Sequence, residues 1–168
     1  MIILLTAAPN EWVFTKSYDG LRLAARYFPC PNSSQNAQKT VILVHGYRSL
    51  GSRDYCCAVK MYHDNGLNVL LIDQRCHGRS EGRIITFGVK ESMDVVSWTD
   101  YICQRFGKNM QIFLSGISMG ATTVILATGR NLPKNVCGVV ADCGFTSPAE
   151  IISFVAKKRF HVHSVLLM

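Results

Sequence analysis

The segment Ile112-Phe-Leu-Ser-Gly116-Ile-Ser118-Met-Gly120-Ala sets one serine between two glycines, each two residues away, after an apolar run and ahead of small and apolar residues. A glycine-x-serine-x-glycine run at a strand-to-helix junction is an arrangement for chemistry. The sharp turn forces the serine into strained backbone angles, and glycines at those two places let neighbouring backbone pass without a Cβ clash. Ser118 then stands exposed at a sheet edge, where its hydroxyl can serve as a nucleophile. The following helix aims its amino terminus at the reacting carbon, so the Met119 amide can donate to a developing oxyanion. A plainer reading makes Ser118 a helix N-cap between turn glycines. It accounts for the motif alone but not for the company the motif keeps.

That company starts with His45-Gly46-Tyr47, which follows another apolar run. A second oxyanion donor has to come from the loop after the first central strand, and the Tyr47 N–H is the candidate. Gly46 lets this loop approach closely, and His45 shapes it. His45, Gly46 and Phe145 are the candidate substrate-binding residues. Met119 and Phe145 can line an acyl pocket, although apolar residues at such places more often simply pack. Cys76 and Cys143 lie near the same edge and a thiol can be a nucleophile, but Ser118 holds the elbow. His77, in Arg75-Cys-His-Gly-Arg79, reads as a loop-fixing hydrogen-bonder, and His63, beside Asp64 on a helix face, as a surface residue.

The elements that must position these groups are legible in the pattern. Residues 11–28 read as a hairpin in which Trp12, Phe14, Leu21, Leu23 and Tyr27 alternate around an Asp19-Gly20 turn. Residues 40–45 are a continuous β-branched run, as expected of a strand covered on both faces. From there helices near 54–64, 89–106, 118–128 and after Pro148 alternate with strands at 67–73, 111–115 and 136–141. Such alternation implies a mostly parallel sheet with helices on both faces and right-handed crossovers. The four parallel strands end in His45-Gly46-Tyr47, Asp73-Gln74-Arg75, Gly116-Ile117-Ser118 and Asp142-Cys143-Gly144, along the carboxyl edge where such sheets place their chemistry.

Composition bounds the rest. The 168 residues are 48% hydrophobic and 17% charged, enough for one core and one domain over 1–168. A net charge of +7 invites a nucleic-acid or anionic-membrane reading. The basic residues are scattered, however, and only Lys157-Lys158-Arg159 cluster, so neither nucleic acid nor a membrane span is expected. The seven cysteines are odd in number and lack paired CxxC spacing. Reduced thiols are therefore expected, with a cytoplasmic location and no metal. The apolar start, residues 1–8, is too short for a membrane helix and lacks a basic signal region.

These residues resemble the α/β-hydrolase superfamily, and in wording its bacterial branch of serine aminopeptidase-like and Bem46-like hydrolases. The resemblance rests on five ordered blocks: Ser17-Tyr-Asp-Gly-Leu-Arg-Leu23, Val44-His-Gly-Tyr47, Asp73-Gln-Arg-Cys-His-Gly-Arg-Ser-Glu-Gly82, Gly116-Ile-Ser-Met-Gly-Ala121 and Ala141-Asp-Cys-Gly-Phe-Thr-Ser-Pro148. It implies hydrolysis of a small ester, less often an amide, through a Ser118 acyl-enzyme, with no cofactor.

In this superfamily an acid and then a histidine follow the serine. The resemblance covers the amino-terminal portion, so the fold is expected to stop before its last strands and the activity to be impaired for want of those two groups. Asp142 stands where some relatives carry the acid, although a structural role, capping the next turn through Gly144 and Thr146, is the preferred reading. His161 and His163, the histidines after Ser118, lie in a basic, apolar tail that gives no reason to point at it. Two alternatives accompany the esterase reading: a non-catalytic binder of an acyl or carbonyl ligand, and a fragment that self-associates through an exposed sheet edge.

Overall fold

A computed structural model describes residues 9–31 and 37–160. Its strands are β1 (Glu11–Lys16), β2 (Arg22–Phe28), β3 (Lys39–Val44), β4 (Asn68–Asp73), β5 (Gln111–Ile117) and β6 (Val136–Asp142). They form one six-stranded sheet in the order β1-β2-β4-β3-β5-β6. The hairpin β1-β2 joins the sheet antiparallel to β4, and β4, β3, β5 and β6 run parallel to their neighbours. The helices are α1 (Gly51–Asp54), α2 (Cys56–Asp64), α3 (Val89–Phe106), α4 (Met119–Thr128) and α5 (Pro148–Phe160).

The β-branched runs become the central strands because successive side chains there find cover on opposite faces. Ile42, Val44, Leu70 and Ile72 point to a core closed by Val95, Trp98 and Ile102 of α3 and Val124 of α4. Val41, Leu43, Val69 and Leu71 point the other way, onto Tyr55 and Val59. The amino end of α3 is tied by Glu91, whose carboxylate accepts from the N–H groups of Thr86 and Gly88.

Three local expectations change. The single helix over 54–64 is two, because Tyr55 breaks the run: its ring turns into the core and its hydroxyl donates to the Ser115 carbonyl at 2.9 Å. The strand over 111–115 continues to Ile117, since Gly116 and Ile117 still pair with Ala141 and Asp142 of β6. In the hairpin, Leu23 and Tyr27 point inward as expected, but Trp12 and Phe14 point out and Val13 is the buried residue of β1. Arginine makes that tolerable: Arg79 lies over the Trp12 ring at 4.3 Å and Arg22 over the Phe14 ring at 5.3 Å.

Among the described residues the sheet ends at β6, whose Val139 and Val140 are exposed. No helix among the described residues is long and apolar enough to cross a membrane, and the apolar start at residues 1–8 lies outside the described residues.

Candidate active site

Ser118 sits between β5 and α4 with φ 55° and ψ −117°, a positive φ that a non-glycine residue rarely adopts. The flanking glycines make this turn feasible. A Cβ on Gly116 would lie 2.2 Å from the Gly120 carbonyl oxygen, and one on Gly120 would lie 1.9 Å from that of Val44. The elbow is anchored from the next strand by the Ser118 N–H, which donates to the Asp142 carbonyl at 2.8 Å. Ser118 itself is half-buried, and Met119 opens α4 as a fully buried residue. As the first residue of the helix, Met119 has an N–H without an intrahelical acceptor.

The loop after β3 lies against the elbow: a Cβ on Gly46 would be 3.4 Å from the Ser118 Cβ. That distance is ordinary van der Waals contact, so a methyl group fits and close approach of the loop does not by itself require glycine at 46. Asp54 gathers the loop. Its carboxylate accepts from the Gly46 N–H at 2.8 Å and from the Ser49 hydroxyl at 2.6 Å. Sequence reasoning set Asp54 at the start of a helix and gave it no part in the site, because its partners on the loop are apparent only once the helix packs beside β3.

Both central histidines are committed to this loop. The His45 Nε2 accepts from the Gln74 N–H at 3.1 Å, so its Nδ1 carries the proton and donates to the Gly46 carbonyl at 2.8 Å. Burial holds the ring neutral, lowering its pKa to about 4. The His77 Nε2 accepts from the Arg48 N–H at 3.0 Å, which likewise assigns its proton to Nδ1, facing the Arg75 carbonyl at 2.9 Å. The two rings meet edge to face with centroids 4.9 Å apart. The readings of His45 as loop-shaping and His77 as loop-fixing agree with these bonds. Neither ring has a nitrogen left for Ser118, and His63 is half-buried in the last turn of α2. His161 and His163 lie outside the described residues.

Gln74 joins the two halves of the site. Its amide nitrogen donates to the His45 carbonyl at 2.5 Å and its amide oxygen accepts from Thr123 of α4 at 3.2 Å. The rest of the segment after β4 is architectural. Asp73 accepts from the Arg79 N–H, Ser80 ties to Ala24 of β2, and Arg75 makes two 2.6 Å bonds to Asp94 and two longer ones to Asp19.

Asp142 reaches the elbow through its main chain. Its exposed carboxylate accepts from the neighbouring Cys143 thiol at 3.1 Å. The expected cap through Gly144 and Thr146 does not form: Thr146 bonds Glu150 instead, and Gly144 lies against Thr122. Thiol chemistry has little footing here. The Asp142 carboxylate pushes the Cys143 thiol pKa up, and burial pushes that of Cys76 up. Phe145 is held to α4 by two 3.0 Å bonds between its main chain and the Thr122 hydroxyl. Its ring meets Phe87 at 6.4 Å, and Phe87 stacks on Tyr47 at 5.1 Å. Three aromatic rings thus line the edge on which Ser118 lies. Sequence reasoning named Tyr47 and Phe145 but not Phe87. Among the described residues no cluster of side chains could hold a metal ion.

A twisted, mostly parallel sheet with this strand order, a strained serine between β5 and α4, and a His-Gly loop beside it define an α/β-hydrolase fold. Residues 35–166 match the family described as serine aminopeptidase, S33, and the chain belongs to that hydrolase family. Over 140 residues it is 28% identical to the uncharacterized protein YqkD of Bacillus subtilis (strain 168), covering 82% of this chain and 44% of that one. It superposes on the Pyrococcus furiosus esterase Pf2001 with a TM-score of 0.78 at 26% identity, covering 96% of this chain and 60% of the esterase. Likeness to XC6422 of Xanthomonas campestris, a serine hydrolase without a lid, is one of fold, with a TM-score of 0.63 at 18% identity. That match covers 71% of this chain and 56% of the other. The chain therefore spans roughly half the length of the proteins it resembles.

Proposed function

We propose that this chain carries the nucleophile half of a serine esterase. The Ser118 Oγ attacks the carbonyl carbon of a small ester, or less readily an amide. The N–H groups of Met119 and Tyr47 receive the oxyanion of the tetrahedral intermediate, which collapses by expelling the alcohol or amine, protonated by the base that took the serine proton, and leaves an acyl-enzyme that water then hydrolyses. The backbone of Ser118, at φ 55° between β5 and α4, carries this reading: a strained serine at a strand-to-helix junction has no packing or hydrogen-bonding purpose that an unstrained residue would not meet. Support also comes from the esterase among the similar structures. Of the three residues expected to bind substrate, only Phe145 has surface for a substrate to meet; His45 and Gly46 are buried and shape the loop from within.

A base has to reach Ser118 from outside the described residues, because His45 and His77 have both nitrogens engaged. The orienting acid comes from there too, with Asp142 serving the elbow through its carbonyl. This same observation favours a second reading, a binder of acyl or carbonyl ligands without turnover.

Labelling of the 168-residue chain with a fluorophosphonate, alongside turnover of a short p-nitrophenyl ester and with Ser118→Ala as control, separates the two. Labelling and turnover lost in Ser118→Ala are expected if Ser118 is the nucleophile and a base reaches it. Folded protein that neither labels nor turns over the ester, yet binds a short-chain carboxylate or ketone, supports the binder.

A further inference from the structure

Three consecutive main-chain N–H groups leave β3 toward the serine edge, on Gly46, Tyr47 and Arg48. The first donates to the Asp54 carboxylate at 2.8 Å and the third to the His77 Nε2 at 3.0 Å. Among the described residues, the Tyr47 N–H between them has no acceptor. Alternation of this kind fixes the peptide planes on either side of Tyr47 and so fixes the direction of its N–H. Arg48 has a φ of 51°, a left-handed conformation unusual for arginine, which needs support from its surroundings.

Both acceptors are themselves held. Asp54 closes the loop with its second oxygen, on the Ser49 hydroxyl. His77 is buried, its Nδ1–H donates to the Arg75 carbonyl, and Arg75 is bonded to Asp94 of α3 and Asp19 of the hairpin turn. The lone pair that receives the Arg48 N–H is therefore set by α3 and the hairpin, through a chain of short bonds, and not by the loop alone.

We propose that Asp54 and His77 are a pair of positioning residues that brace the loop from both sides and leave the Tyr47 N–H as its single oxyanion donor. The proposal rests on the reading of Ser118 as nucleophile. Preorganised donors are worth most where charge develops in the transition state, and a donor turned away by a fraction of an ångström loses much of its effect. The brace acts on the rate of acylation and not on binding of the ground-state ester.

The experiment compares His77→Phe, which keeps a ring without an acceptor, with His77→Gln, whose amide oxygen can reach the Nε2 position. It is run in the 168-residue chain with p-nitrophenyl acetate. His77→Phe is expected to lower kcat by about 10- to 100-fold with KM changed less than about threefold, and His77→Gln to recover most of the loss. Asp54→Ala and Asp54→Asn form a second pair with the same expectation, should His77→Phe fail to fold. Independently of activity, wild-type protein should show scalar coupling between the Arg48 amide nitrogen and the His77 Nε2, absent in His77→Phe. Undiminished kcat in both acceptor-free variants, equal losses in His77→Phe and His77→Gln, or absence of the coupling in wild type overturns the brace. A wild-type protein that shows the coupling but never labels at Ser118 sinks the nucleophile reading and with it the catalytic purpose of the brace.

Discussion

A Cβ on Gly120 would stand 1.9 Å from the Val44 carbonyl oxygen, which is backbone of a central strand and cannot move aside, whereas a Cβ on Gly46 meets its nearest neighbours at 3.4 Å. The two glycines look alike in sequence and differ in consequence. Gly120→Ala is expected to cost about 3 kcal/mol or more, or to prevent folding, and Gly46→Ala to stay within about 1 kcal/mol of wild type in urea unfolding. His45 makes a second prediction at this scale. Burial lowers its pKa from 6.5 to about 4, so between those values the unfolded chain binds the proton and the fold does not. Its contribution is complete above about pH 6.5 and declines as pH falls toward 4, by roughly 3 kcal/mol in all. Asp94, raised by burial to about 6, acts with the opposite sign over an overlapping range. The measurement is therefore the stability difference between wild type and His45→Gln, in which Asp94 cancels; it should narrow on acidification. A constant difference from pH 7 to 4 would mean that the His45 ring titrates normally in the fold.

Between elements, the strongest polar tie is Arg75, which leaves β4 and joins α3 through Asp94 and the β1-β2 turn through Asp19. The Arg75 bonds lower the pKa of Asp19 to about 2. A buried pair of this kind is weak evidence for net stability, but removal of one partner strands the other's charge. Asp94→Ala is expected to cost about 3–5 kcal/mol by urea unfolding. Arg75→Met combined with Asp94→Leu should recover much of that loss, because both buried charges are then gone and the Asp19 that loses its partner is exposed to water at the hairpin turn. Were the double variant as unstable as the single one, the interaction would be needed for reasons beyond charge pairing. The same element carries His77 toward the oxyanion loop, so damage here is expected to reach the site.

On the scale of the whole molecule, the sheet is covered on both faces at its centre and exposed at β6, where Val140 is 60% accessible and Val139 lies beside it. Apolar residues on an unpaired strand are a surface on which a second copy can pair. Sedimentation of the 168-residue chain is expected to show concentration-dependent self-association, reduced by Val140→Lys. A wild-type chain that sediments as a monomer at every concentration would remove the self-associating reading.

Local signals determined much of this protein. β-branched runs marked the strands and helical periodicity marked α3 to the residue, because central strands and amphipathic helices carry their burial pattern in the chain. The spacing of Gly116, Ser118 and Gly120 marked the strained turn, since few residues tolerate that backbone. What sequence could not give was any relation between segments far apart. The break at Tyr55 follows from where its hydroxyl finds an acceptor on β5. The outward face of Trp12 follows from Arg79 arriving from beyond β4. The roles of Asp54, Gln74 and His77 depend on which loop lies within 3 Å of each, a distance that exists only after the sheet has formed. Sequence named the serine and its neighbours by type; tertiary structure alone decided which N–H groups of the loop are taken and which is left without an acceptor among the described residues.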